Sequence, residues 1–332
     1  MRFRVAALAA LAVFGLALSG CQSAPAKADL GCVATELNRA SKDADELWDL
    51  LAGSRAGLLA TNLPKLAEVE FAPSEAGLNV KWLASEGSQP AWHELGIEAQ
   101  GCLVTNIFVP EGKPAPIWYA QEVEVYRQGS ATVLAAGRDA TGNAVDNQGW
   151  VSAASQAVDR VRARFPDWDG QLVVQVCDSP ESFHLVSAGS AQDAAWAYTR
   201  AQDYSGQVGE AASHVTVNPT HEHPDRSFLL THEAVHVAMS KHGVPEPEKL
   251  WISEGLAEAI ALSVSPQRAA KSAQLVAENG LRAENPPTKG ELDSADPQVS
   301  SLAYARSAAL VAPALGSPDF LGELRKLGWP ET

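Results

Sequence analysis

The chain has 332 residues, 46% hydrophobic and 20% charged, with 40 acidic against 25 basic side chains and a formal charge of −15. That length suffices for one large or two medium domains. The acidic balance argues against a nucleic-acid partner and against electrostatic attachment to anionic lipid, and mildly favours cationic substrates.

The chain opens with Arg2 and Arg4, then an apolar run from Val5 to Leu18, then Leu18-Ser19-Gly20-Cys21. The run is too short to span a bilayer and fits the apolar core of a signal peptide. Its end resembles the lipobox of bacterial lipoproteins. That resemblance implies removal of residues 1–20, lipidation of Cys21 and anchorage at the extracytoplasmic face of the cell membrane. The plainer alternative is a secretory signal with an incidental cysteine. A leader with two basic and no acidic residues shifts the mature charge from −15 to −17. Residues 21–30 read as a lipidated tether rich in alanine and proline. Export places Cys32, Cys102 and Cys177 in an oxidising setting, which allows one disulfide and one free thiol. Cys32 and Cys102 both follow a glycine in the N-terminal half and are the favoured pair. Cys177 ends an apolar run and reads as a buried thiol.

Residues 31–140 read as a small α+β module. A helical pattern from Cys32 to about Ala60 precedes strand-like runs at Leu78–Leu83, Cys102–Val109, Ile117–Tyr126 and Ala131–Ala136. The module is loosely similar to cystatin-like or nuclear-transport-factor-like domains. It carries no chemical constellation; His93 and Glu94 read as solvated loop residues. Asp139–Gly149, rich in Gly, Asn, Asp and Thr, marks a boundary.

After it come a helix from Trp150 to Phe165, a strand over Leu172–Cys177, and two shorter runs, Ala194–Thr199 and His214–Asn218. A helix from about Asp225 to His242 then holds His232-Glu233-Ala234-Val235-His236, stopped by Gly243 and Pro245. Positions i and i+4 share a helix face, so two imidazoles can bind one zinc ion, and the glutamate between them can reach a water on the metal. A catalytic zinc needs a third protein ligand and an open position. The next helix, Glu248–Ser263, offers Glu254, with Glu258 one turn later on the same face to accept from the outer nitrogen of a ligating histidine. The reverse assignment, Glu258 as ligand, stays open. Helical patterns over Ala269–Asn279, Val299–Leu310 and Phe320–Leu327 complete the chain.

His-Glu-x-x-His followed by Trp251-x-Ser253-Glu254-Gly255-x-Ala257-Glu258 resembles the gluzincin branch of zinc metallopeptidases, the thermolysin-like superfamily, and is closest to bacterial "peptidase MA-like" domains. The resemblance covers roughly residues 150–330. It implies a zincin domain with a small sheet, a zinc helix and a helical C-terminal half. It also implies one zinc on His232, His236 and Glu254, Glu233 as general base and Glu258 orienting a histidine. The 17 residues between His236 and Glu254 are slightly fewer than in the best-known members. Family members stabilise the oxyanion with a tyrosine or histidine from a later helix. Tyr304 is the candidate here, with half-buried packing as its alternative role and Arg306 as a weaker candidate. An edge strand beside the zinc helix pairs with substrate in such folds; either short run could supply it.

The implied activity is hydrolysis of peptide or protein substrates, general or confined to one partner. The competing reading is a zincin-fold envelope lipoprotein that binds or assembles without catalysis. His221-Glu222-His223 could form a second metal site, and His242 points away from the His236 face. Substrate specificity and oligomeric state are not legible.

Overall fold

The structure, a computed structural model, describes residues 28–51, 53, 55–75, 77–88, 90–139, 141–187, 198–199, 214–218, 225–243, 245–280 and 285–330. Cys21, His221 and His223 lie outside the described residues, as does most of the Ala194–Thr199 run. The protein is α+β, with helices and two separate sheets.

Three helices come first: α1 (Leu30–Ala40), α2 (Ala44–Leu50) and α3 (Ala56–Asn62). The long helix expected from Cys32 to Ala60 is therefore broken. Asp43 stops it by accepting from the Asp45 and Glu46 amides, which starts α2 afresh. Strands β1 (Glu68–Pro73), β2 (Leu78–Leu83), β3 (Ala91–Gln100) and β4 (Leu103–Phe108) follow as an antiparallel meander in sequential order. Cys32 and Cys102 are disulfide-bonded and tie α1 to the β3–β4 turn across a separation of 70 residues. A loop of that length implies about 4 kcal/mol of stabilisation through the unfolded chain. Replacing both cysteines by serine is expected to lower the urea midpoint accordingly; an unchanged midpoint would count against the bond as a stabilising device. Cys177 is buried and free, and burial pushes its thiol pKa up.

The expected strand Ile117–Tyr126 splits into a helical turn, α4 (Ile117–Ala120), and β5 (Glu124–Gln128). Strand β6 (Ala131–Ala135) pairs antiparallel with β5 and parallel with β7 (Leu172–Val176). The crossover is α5 (Asn147–Arg162), as a parallel pairing requires. After α6 (Pro180–Ser187) come β8 (Tyr198–Thr199) and β9 (His214–Val217), giving the second sheet the order β5-β6-β7-β9-β8. One expectation is corrected here. The boundary at Asp139–Gly149 does not separate two units, because β5 and β6 precede it yet belong to the second sheet. Of the two runs that could supply an edge strand, β9 lies between β7 and β8, and β8, from the first run, stands at the edge among the described strands.

The second sheet is a shared wall. Ala131, Val133, Ala135, Leu172, Val174, Val176, Val215 and Val217 face a core with α5 and the C-terminal helices. The alternate residues Leu134, Val173 and Cys177 face a core with α1–α4 and the first sheet. Period-two alternation on two buried faces gives these strands their near-continuous apolar character. Polar ties cross the second interface. Gln121 donates to the Val176 carbonyl (3.0 Å) and accepts from the Asp178 amide (2.8 Å), and Thr132 bonds Ser85 (2.8 Å).

The C-terminal half is α7 (Arg226–Met239), α8 (Leu250–Leu262), α9 (Pro266–Asn279), α10 (Lys289–Leu292), α11 (Pro297–Leu315) and α12 (Phe320–Leu327). Among the described residues no helix is long and apolar enough to cross a membrane.

Candidate metal centre

Helix α7 begins at Asp225, whose carboxylate accepts from the Phe228 amide, and continues as a short 3₁₀ turn to His242, where Gly243 takes a φ of 86° that side chains disfavour. Arg226 fixes its start by pairing with Asp146 (2.7 Å), itself the N-cap of α5, and lying over the Trp150 ring. The helix packs between α5 and α8, so most of its side chains are buried, His232 and Glu233 included. Helix α8 is apolar on most faces; Ser253, Glu254 and Glu258 are the polar groups of its central turns, and they turn towards α7.

These two helices bring His232, His236 and Glu254 together, with ligand atoms all within 4.8 Å of one another. The two Nε2 atoms face each other at 3.2 Å. Glu254 reaches both: one oxygen lies 3.3 Å from His232 Nε2, the other 3.5 Å from His236 Nε2. The outer nitrogens are also engaged. His232 Nδ1 lies 3.4 Å from Glu258, and His236 Nδ1 lies 3.1 Å from the Ser253 hydroxyl. With each Nδ1 held from outside, loss of any proton on Nε2 would leave both Nε2 atoms free to donate a lone pair into the gap. Two imidazoles and a carboxylate, each held from behind, are a donor set that fits zinc. Ser253 was not anticipated as a partner. Its place beside Glu254, the candidate third ligand, is the available signal.

The electrostatics point the same way. Burial lowers the pKa of His232, but hydrogen bonds to Glu254 and Glu258 outweigh it and raise the ring to about 10. Burial also pushes Glu254 up, yet the two imidazoles hold it well below the usual carboxylate range. A field that retains a proton on His232 so firmly would also favour a divalent cation, with release of that proton on binding. Glu233, 5% exposed, is raised by burial to about 7 despite both histidines.

Tyr304, on α11, lies beside this cluster, its ring centroid 6.1 Å from that of His232. Burial and the surrounding carboxylates push its phenol pKa up, and its side chain hydrogen-bonds Glu254. The phenol therefore stays protonated and able to donate. Arg306 turns elsewhere and donates to the Asn285 carbonyl, so it does not join the cluster. His242 pairs with Asp167 at 3.3 Å, away from the cleft. A cavity of about 170 Å³ opens beside His232, Glu233, Glu258 and Tyr304, between α7, α9 and α11.

No known family model matches the chain, and no curated protein matches it. What the site can do rests on its own geometry.

Gly255 shows how tightly Glu254 is placed. A β-carbon there would lie 2.4 Å from the Ser307 carbonyl oxygen, so α8 and α11 approach closely only because the side chain is missing. Gly255→Ala is expected to push the helices apart, cost about 1–3 kcal/mol in denaturant unfolding and weaken metal binding through Glu254. Unchanged stability would mean that the helices separate freely at this point.

Proposed function

We propose that the protein is an exported, lipid-anchored zinc metallopeptidase that hydrolyses peptide bonds. The observation that carries the reading is the convergence of His232, His236 and Glu254 beside a buried, uncommitted Glu233 at the wall of an open cleft. The anchor rests on the Leu18–Cys21 motif.

His232, His236 and Glu254 would hold the ion. When bound, zinc supplies a Lewis acid that acidifies water and polarises a carbonyl. Glu233, ionised near neutral pH, accepts the proton of the attacking water and passes it to the departing amine. Its burial excludes bulk solvent and keeps its basicity close to the working pH. Tyr304 donates its phenol proton in a hydrogen bond to the carbonyl oxygen as charge develops there. That donation requires the hydroxyl to leave Glu254, a carboxylate that would instead serve to hold the ion. Glu258 and Ser253 hold the two rings in orientation.

The test is metal analysis of the purified mature protein with a parallel peptide-hydrolysis assay. One zinc per chain is expected, with hydrolysis lost on chelation and restored by zinc. A folded protein without affinity for zinc would overturn the reading.

A further inference from the structure

The cleft carries charge that the metal centre does not use. Helix α9 has no buried residue, and the stripe it turns towards the cavity is Arg268, Lys271, Ser272 and Leu275, at i, i+3, i+4 and i+7. Opposite stand Phe228 and Leu229 of α7, one turn before the first histidine. The Arg268 guanidinium lies over the Phe228 ring, 4.4 Å from its centroid, and that ring lies 6.5 Å from the His232 ring. One aromatic ring thus separates the guanidinium from a metal-binding imidazole. Arg268 is partly balanced by Asp225 at 3.6 Å and remains half exposed. Lys271 faces no carboxylate at ion-pair distance among the described residues. The carboxylate of Glu258 at the cavity floor is engaged by His232. In a chain of net charge −15, two cations on the wall of one cleft stand against the general surface.

The geometry points to a carboxylate-binding subsite: Arg268 and Lys271 receive an anionic group of the peptide, while Phe228, Leu229 and Leu275 pack its aliphatic stem. This deepens the peptidase reading and rests on it for the position of the cleaved bond. The carboxylate can come from a glutamate or aspartate side chain flanking that bond, or from a free C-terminus. Guanidinium and ammonium groups both suit it, the first as a planar fork and the second as a point charge. The preference of this cleft is then opposite to the one that net charge implies.

The test uses matched peptides with Glu, Gln or Lys flanking the cleaved bond and an amidated C-terminus, plus the Gln peptide with a free C-terminus. kcat/KM is measured on the zinc-loaded protein. Kd is measured by calorimetry on zinc-loaded Glu233→Gln, which reads binding apart from turnover. The Glu peptide or the free-acid peptide is expected to bind and react about tenfold better than its amide, and which of the two gains identifies the source of the carboxylate. The advantage should shrink as salt rises, because the cations are solvent-exposed. Lys271→Gln should reduce the ratio, Arg268→Gln with Lys271→Gln should bring it to one, and Lys271→Glu should shift the preference towards the Lys peptide. Lys271 variants remain informative if Arg268→Gln disturbs the α7 cap through Asp225. Equal treatment of acid and amide by the unmodified protein, or an advantage that survives both substitutions, overturns the subsite. Selective binding of a carboxylate peptide without cleavage leaves the subsite standing and removes the peptidase reading. Absence of both binding and cleavage removes both.

Discussion

Glu233→Gln is expected to lower peptide hydrolysis by a factor of roughly 10²–10⁴ while leaving one zinc bound per chain. Glutamine keeps the shape and burial of the side chain but cannot accept the proton. The same change should alter stability with a definite sign. Burial raises Glu233 from its ordinary 4.5 to about 7, so in the metal-free fold ionisation is disfavoured. The unfolded chain releases this proton from about pH 4.5 upwards and the folded one only near 7. The group therefore costs stability progressively between those values, and the cost persists above them. His232 adds a loss in the next window. Its folded pKa near 10 exceeds the unfolded 6.5, so its contribution is complete below 6.5 and disappears as pH rises through 10. Metal-free protein should thus lose thermal stability from pH 5 to pH 10, and Glu233→Gln should be the more stable form at pH 8 but not at pH 4. Equal melting temperatures for the two at pH 8 would show that burial does not strain this carboxylate. In the zinc form a cation beside Glu233 favours its ionised state, so the acid limb of kcat/KM should fall at or below 7.

Zinc itself should have the second large effect. At a hundred times its Kd, zinc is expected to add about 2.7 kcal/mol to the folded state, raising the melting temperature by roughly 5–10 °C. His236→Ala should abolish that shift, since the remaining pair cannot close the set. Glu258→Gln should retain it with about 10–100-fold weaker affinity, because only the acceptor behind His232 Nδ1 is weakened. Should Glu258→Gln lose the ion and Glu254→Gln keep it, the roles of the two carboxylates are exchanged.

The cluster of His232, His236 and Glu254 is legible because its spacing is local. Two histidines four apart on a helix, and two glutamates four apart on the next, state their own faces once helical periodicity is recognised. Their meeting across α7 and α8 was implied by pattern and needed the fold to be seen. Ser253 is not legible because a serine one residue before Glu254 has no distinguishing composition; only the turn of α8 aims it at His236. Strands β1 and β3 were missed for a related reason. Their outward positions are Glu68, Glu70, Glu94 and Glu98, which weaken the strand signal while Val69, Phe71, Leu95 and Ile97 carry the inner face. The sequence assigns the β5–β6 hairpin to the N-terminal module because a hairpin looks the same whichever sheet accepts it. Its partner β7 lies beyond the whole of α5, and no local pattern encodes that pairing. The cations of the cleft are not legible in composition because net charge averages over a surface, whereas a subsite depends on one helical stripe.

The sheet between the two cores has a consequence for how the chain acquires its structure. The N-terminal residues cannot finish their own interior until Val173 and Cys177 arrive, and the C-terminal helices cannot finish theirs until β6, made earlier, has found β7. Each half waits for the other, so the protein should unfold in a single cooperative transition, and a fragment starting at residue 140 or 150 would lack two strands of the wall it needs.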